Sequence, residues 1–274
     1  MGSNYVPGTN AHIDTSSFSA ELEHLSEGAT GRDLDDMEFE RNAYDAVERI
    51  LSDPPDPVPP DTVVCRFLST EKFLWFLNAK SVFFGRVEGF DDSWDCAVPD
   101  DYANAISRFY SMKSQPSDEW EHYADGMRYQ WLISCWTAIS SNVDDYLLWY
   151  RYAGGPDGVG ITVPYGILDR EIRKGLPPFL DDGSTEESIL SGYVDYGERL
   201  RVLPFNKRRM FKNESEVRFV VRTEWNRSLQ VSVGSIFNEF GLRLSPDAPI
   251  HHRSAIEEVW FKYGGSSDIV VAEN

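Results

Sequence analysis

The run Lys212-Asn213-Glu214-Ser215-Glu216-Val217-Arg218-Phe219-Val220-Val221 alternates charged side chains with large apolar ones. In an extended chain successive side chains point to opposite faces. Glu214, Glu216 and Arg218 therefore share one face, and Val217, Phe219 and Val221 share the other. The apolar row marks a strand packed on a core. The polar row aligns two carboxylates and a guanidinium toward whatever lies opposite. Such a row suits the stabilisation of positive charge on a sugar, and it suits a solvent-facing edge.

Outward from this strand the pattern switches repeatedly between extended and helical periods. Residues 62–68 read as a strand and 70–79 as a short helix with Ser69 or Thr70 as its N-cap. Residues 81–85 form a second strand before a turn-rich segment. Residues 102–112 and 119–128 read as helices, 132–138 as a strand and 144–152 as a helix stopped by Gly154-Gly155-Pro156. Further strands are expected at 159–163, 192–196, 216–223 and 229–233. A helical turn begins at 255–258, and 259–263 and 268–271 read as closing strands. The sum is an α+β fold of mixed, mainly antiparallel sheets with short flanking helices. No internal repeat is evident.

The N-terminal part differs in kind. Residues 1–33 are rich in Ser, Gly, Thr and Asn, and 35–51 carry one amphipathic helical pattern through Met37, Phe39, Tyr44, Val47 and Ile50. The stretch Asp53-Pro54-Pro55-Asp56-Pro57-Val58-Pro59-Pro60 cannot continue a helix and reads as an extended linker. The expected organisation is an acidic segment over 1–60 and one α+β domain over 61–274. The first 60 residues hold 13 acidic and 3 basic side chains, more than half of the net charge of −19. That segment reads as a solubilising tail or as an arm that occludes a site.

The chain has 274 residues, 41% of them hydrophobic, which suits a folded protein with a sizeable core. No apolar run is long enough to span a bilayer, so no membrane is expected. The start of the chain shows no secretory leader pattern. Cys65, Cys96 and Cys135 are far apart and form no CxxC pair, which argues against a disulfide framework or zinc and for the cytoplasm. The acidic balance opposes non-specific nucleic-acid binding. One basic cluster, Lys207-Arg208-Arg209 with Lys212, reads as a solvated loop or as an attractor of phosphate.

Motifs for metalloprotease, P-loop, dinucleotide-fold and nucleophile-elbow chemistry are absent. The glycine-rich Gly154 to Gly160 stretch holds Pro156 and Asp157, and reads as a turn from helix to strand. His251 and His252 have no partners at ligand spacing, and no metal is expected. On the 144–152 helix, Asp145, Trp149 and Tyr152 fall on one face, with Leu147, Leu148 and Tyr150 covering much of the remainder, so the helix is expected to be buried on most sides. Trp149 and Tyr152 either fill core or stack a nicotinamide or adenine ring. Arg66 interrupts the apolar Val63-Val64-Cys65-Arg66-Phe67-Leu68, and either points to solvent or meets a carboxylate or an anionic ligand.

Several ordered pieces resemble the bacterial family called domain of unknown function 2971. They are Arg66, Val82-Phe83-Phe84-Gly85, Phe90-Asp91-Asp92-Ser93-Trp94-Asp95, Ile133-Ser134-Cys135-Trp136-Thr137 and Leu148-Trp149-Tyr150-Arg151-Tyr152-Ala153. Gly158-Val159-Gly160-Ile161, Val194-Asp195-Tyr196, a Lys near position 207, Asn213-Glu214-Ser215-Glu216-Val217-Arg218 and Ile256-Glu257-Glu258-Val259-Trp260-Phe261-Lys262-Tyr263-Gly264 complete the set. Asp91-Asp92-Ser93 and Tyr150-Arg151 depart from the family pattern of Asn-Asp-Pro and Ser/Ala-His. The resemblance spans roughly residues 61–265.

The order of features is also similar to the ADP-ribosyltransferase plan. That resemblance implies Arg66 on the NAD ribose or phosphates, Ser134 or Thr137 at the nicotinamide pocket, and Glu214-x-Glu216 as the catalytic pair. Cleaving nicotinamide from ribose develops oxocarbenium character, which a fixed carboxylate stabilises. Glu216 takes that role, Glu214 orients or deprotonates the acceptor, and Trp149 or Tyr152 stacks a ring. Two close carboxylates raise each other's pKa, which suits the second to proton transfer. NAD is then the substrate, with a protein or nucleic-acid acceptor, and the resemblance implies a toxin or phage-defence effector. Two alternatives remain: a non-catalytic acidic binding or regulatory module, and an NAD or nucleoside glycohydrolase.

Overall fold

A computed structural model describes residues 54–90, 92, 95–96, 131–139, 145–176, 189–196, 203–223 and 227–272. The helices expected at 35–51, 102–112 and 119–128 lie outside the described residues. The chain separates into two compact units interleaved in sequence: Met1–Pro54, Asp92–Arg128 and Asp195–Phe211 form one, and Pro55–Asp91, Tyr129–Val194 and Lys212–Asn274 the other.

The second unit holds a sheet of nine strands among the described residues: β1 (Val63–Leu68), β2 (Ser81–Arg86), β3 (Trp131–Ala138), β4 (Val159–Pro164), β5 (Ile189–Tyr193), β6 (Glu216–Arg222), β7 (Leu229–Ser232), β8 (Gly241–Leu244) and β9 (Ile269–Val271). Their order is β5-β6-β3-β1-β4-β8-β9, with β2 pairing to β3 and then to β7. Every pairing is antiparallel except that of β8 with β9. This is the expected mixed α+β fold, mainly antiparallel, with short helices.

Among the described residues the α-helices are α1 (Thr70–Ala79), α2 (Asp145–Tyr152), α3 (Tyr165–Gly175) and α4 (Ile250–Lys262). In α1 the Ser69 hydroxyl accepts from the Lys72 amide, and Lys80 ends the helix at φ 46° by donating its own amide to the Phe76 carbonyl. Phe73, Phe76 and Leu77 of α1, Leu168 and Ile172 of α3, and Ile256 and Trp260 of α4 join one core with Val64, Leu68, Trp136, Val217, Phe219 and Val221. Each such side chain contributes about 1.5–3 kcal/mol on burial.

Three expectations are corrected. Residues 259–263 are the end of α4 and not a strand. β5 occupies Ile189–Tyr193, three residues ahead of its expected start. Helix α2 is buried on one side only: Leu148 and Trp149 are covered, whereas Tyr146, Leu147 and Tyr150 are exposed. Helix α3 and strand β8 had no counterpart in the sequence reading.

Within the proline-rich stretch Val58 is buried in the core of the second unit and Asp56 bridges to Tyr193. In the first unit, Lys207 Nζ lies 3.9 Å from Asp95 and Arg208 Nη2 lies 2.8 Å from Asp92. Two cations of the expected basic cluster thus already face carboxylates.

Candidate functional site

The register of β1, β3 and β6 divides the expected site residues between two faces. Cys65 stands opposite Thr137, and Thr137 opposite Glu216, so these three form one row across three strands. Cys135 stands opposite Arg218 and belongs to the same face. Ser134 stands opposite Phe219 and Trp136 opposite Val217, on the apolar face shared with Val64, Arg66 and Leu68.

The polar face is built around an ion pair. Arg218 Nε donates to Glu216 Oε1 at 2.7 Å and Nη2 to Oε2 at 3.3 Å, with side-chain exposures of 0% and 5%. The guanidinium also lies over the Phe90 ring, 5.9 Å from its centre. Glu214 is not on the strand with them. It ends a short 3-10 turn, Arg209–Glu214, and Ser215 follows at φ 43° before β6 begins at Glu216. The left-handed residue resets the direction of the chain, so the turn and not the pleat aims Glu214.

Glu214 instead meets helix α2. Tyr152 donates its hydroxyl to Glu214 Oε1 at 2.6 Å, and Arg151 Nη1 lies 3.3 Å from the same oxygen. Helix α2 covers the polar face of β1, because Leu148, Trp149 and Ala153 pack with Cys65 and Phe67. Trp149 is 1% exposed and set edge-on to Phe67, with ring centres 4.9 Å apart. It fills core and offers no ring face to a ligand. Tyr152 is 38% exposed. The helix ends in Gly154 and Gly155, both at positive φ, which confirms a turn there.

On the apolar face Arg66 occupies a fork. β1 pairs with β3 near Ala138, β2 pairs with β3 near Leu132, and the two diverge between. Arg66 Nη1 donates to Ser134 Oγ at 3.0 Å and to the Phe83 carbonyl at 3.1 Å, bridging the gap. Both of these partners are neutral oxygens, so neither is the carboxylate among the expected alternatives. Ser134 Oγ also accepts from Trp136 Nε1 at 3.1 Å. Burial pushes the Arg66 pKa below its ordinary value.

Thus Glu214, Glu216, Thr137, Trp149 and Tyr152 gather about the polar face, whereas Arg66 and Ser134 bond to each other on the opposite one. Sequence reasoning missed Arg151 as a partner of Glu214, although its place next to Tyr152 carried the signal. Among the described residues no group of three or more His, Cys, Asp or Glu side chains is arranged to hold a metal ion. His252 Nε2 lies 2.8 Å from the Asp157 carbonyl. No described helix is long and apolar enough to cross a membrane. No protein family, curated protein or solved structure matches the chain, so the reading of this site rests on its own geometry.

Proposed function

We propose that the chain is an NAD-consuming, ADP-ribosyltransferase-like enzyme whose reacting groups stand on the polar face of the sheet. The observation that carries this reading is the row Cys65, Thr137, Glu216, together with Glu214 held at 2.6 Å by Tyr152. As the bond from ribose C1′ to the nicotinamide nitrogen breaks, its electron pair leaves with neutral nicotinamide. Glu216 stabilises the positive charge left on the ribose. The acceptor then bonds to C1′ and gives its proton to Glu214. Tyr152 is the available ring for stacking, and Arg151, half-exposed beside it, replaces Arg66 as the cation for the diphosphate. The wide sequence spacing of Cys65, Cys96 and Cys135, with no CxxC pair, supports a reducing, cytoplasmic setting.

A second reading has its own support. Glu216 is 4% exposed and its carboxylate is already engaged by Arg218, as in a purely structural pair. The chain is then a non-catalytic binding module. Nicotinamide release from NAD by the purified protein, with and without cell lysate, separates the two. The enzyme reading expects release by the wild type, its loss in Glu216→Gln and its reduction in Glu214→Gln, both variants folded by circular dichroism. Release of free ADP-ribose without an acceptor points to the glycohydrolase. No release, joined to no NAD binding by calorimetry, overturns the enzyme reading and leaves the module.

A further inference from the structure

Helix α1 and strands β1, β2, β4 and β7 line an open pocket of about 410 Å³, inside the roughly 300–1,000 Å³ range of small-ligand sites. It takes in Arg66, Lys72, Trp75, Phe83, Ile161 and Gln230. Its form follows from the fork. β2 leaves β3 to pair with β7, setting Phe83 opposite Gln230 on the outer side, and α1 turns Lys72 and Trp75 toward them. Trp75 and Phe83 stand edge to face with ring centres 6.3 Å apart, and both remain more than a third exposed.

Two features point to a ligand. Large aromatic side chains bordering a cavity and left open to solvent forgo burial that a bound ring would supply. The Arg66 guanidinium, meanwhile, has no ion pair among the described residues, and its hydrogen bonds, both from Nη1, go to neutral oxygens. A part-buried cation without a counter-charge is costly, and an anion arriving in the cavity would relieve that cost. At the rim Lys72 offsets Glu71, so Arg66 decides the sign of the site.

We propose that this cavity binds a small aromatic anion, its carboxylate or phosphate on Arg66 and its ring against Trp75 and Phe83. The site is separate from the polar face, and its test does not depend on NAD cleavage. Calorimetric titration of the full chain with 1-naphthoate, 1-naphthyl phosphate and the neutral 1-naphthamide reads out charge and shape. At least one anion is expected to bind about tenfold or more tightly than the amide, the size of a charge-assisted contact. The tighter of the two anions identifies carboxylate or phosphate as the natural head group. Arg66→Met is expected to reduce the anions to the level of the amide. Trp75→Ala, at the rim, is expected to weaken all three severalfold while keeping the anion preference. Because Arg66 also bridges β2 to β3, the wild type and Trp75→Ala decide the matter if Arg66→Met does not fold. Equal affinity for anions and amide, or no binding of any probe at about 1 mM, overturns the proposal. So does a folded Arg66→Met that retains the anion preference.

Discussion

Arg218 is a fully buried charge on the polar face, and Glu216 two residues before it is its ion-pair partner. Its side chain is fully enclosed, with Glu216 at 2.7 Å. Breaking such a pair by removing one ion strands the other, at a cost of about 3–5 kcal/mol. Glu216→Ala is therefore expected to lower the unfolding free energy by about that amount, and Glu216→Gln by less, since the amide oxygen still accepts from Arg218. Urea unfolding monitored by tryptophan fluorescence measures both. A loss below about 1 kcal/mol in Glu216→Ala would mean that water already screens the pair. Alternation alone predicted that Glu216 and Arg218 share a face. It failed for Glu214, because no pattern announces that Ser215 adopts φ 43°. It also left Arg66 open. Which face of the sheet Arg66 shares depends on its register with β3 and β6, and register is set by distant strands.

At the level of elements, the readable ones have a clear period, and several have strong ends. Strands β1, β3, β4, β6 and β7 and helices α1 and α2 fall within one or two residues of their expected bounds. Several of them, such as β1 after Pro59-Pro60, α1 after Ser69 and α2 before Gly154-Gly155, are bounded by a cap, glycine or proline. Helix α4 was misread because Val259-Trp260-Phe261 has the composition of a strand. Tertiary packing overrides that preference: Trp260 and Ile256, four apart, enter the core together. The turn after α4 is shaped around the indole, whose Nε1 donates to the Ser266 carbonyl at 2.8 Å. A Cβ on Gly265 would lie 2.1 Å from the Trp260 ring. Gly265→Ala must therefore push Trp260 or open the turn, and is expected to cost about 1–3 kcal/mol or more. Gly89→Ala, where a Cβ would meet nothing within 4 Å, is the control and is expected to stay within about 0.5 kcal/mol of the wild type. Equal melting curves for the two variants would contradict this account of the turn.

Across the whole molecule, the sheet separates two chemistries that the sequence reading had joined in one pocket. β3 lies between β1 and β6, so Arg66 and Glu216 sit two strand spacings apart, about 10 Å, and point to opposite faces. Their described partners differ: Arg66 bonds Ser134 and Phe83, and Glu216 bonds Arg218. Sites at that separation without common partners behave additively within about 0.3–0.5 kcal/mol. The destabilisations of Arg66→Met and Glu216→Gln, measured by urea unfolding, are accordingly expected to sum in the double variant. A coupling above about 1 kcal/mol would mean that β3 transmits strain from one face to the other, and Ser134 and Thr137, three residues apart on that strand, would be its carriers. Additivity would instead let each face be tested alone: the aromatic cavity with its probes in a Glu216→Gln background, and NAD cleavage in a Trp75→Ala background. An arginine and a glutamate that line up in sequence order become a single site only when register turns them the same way, and here it turns them apart.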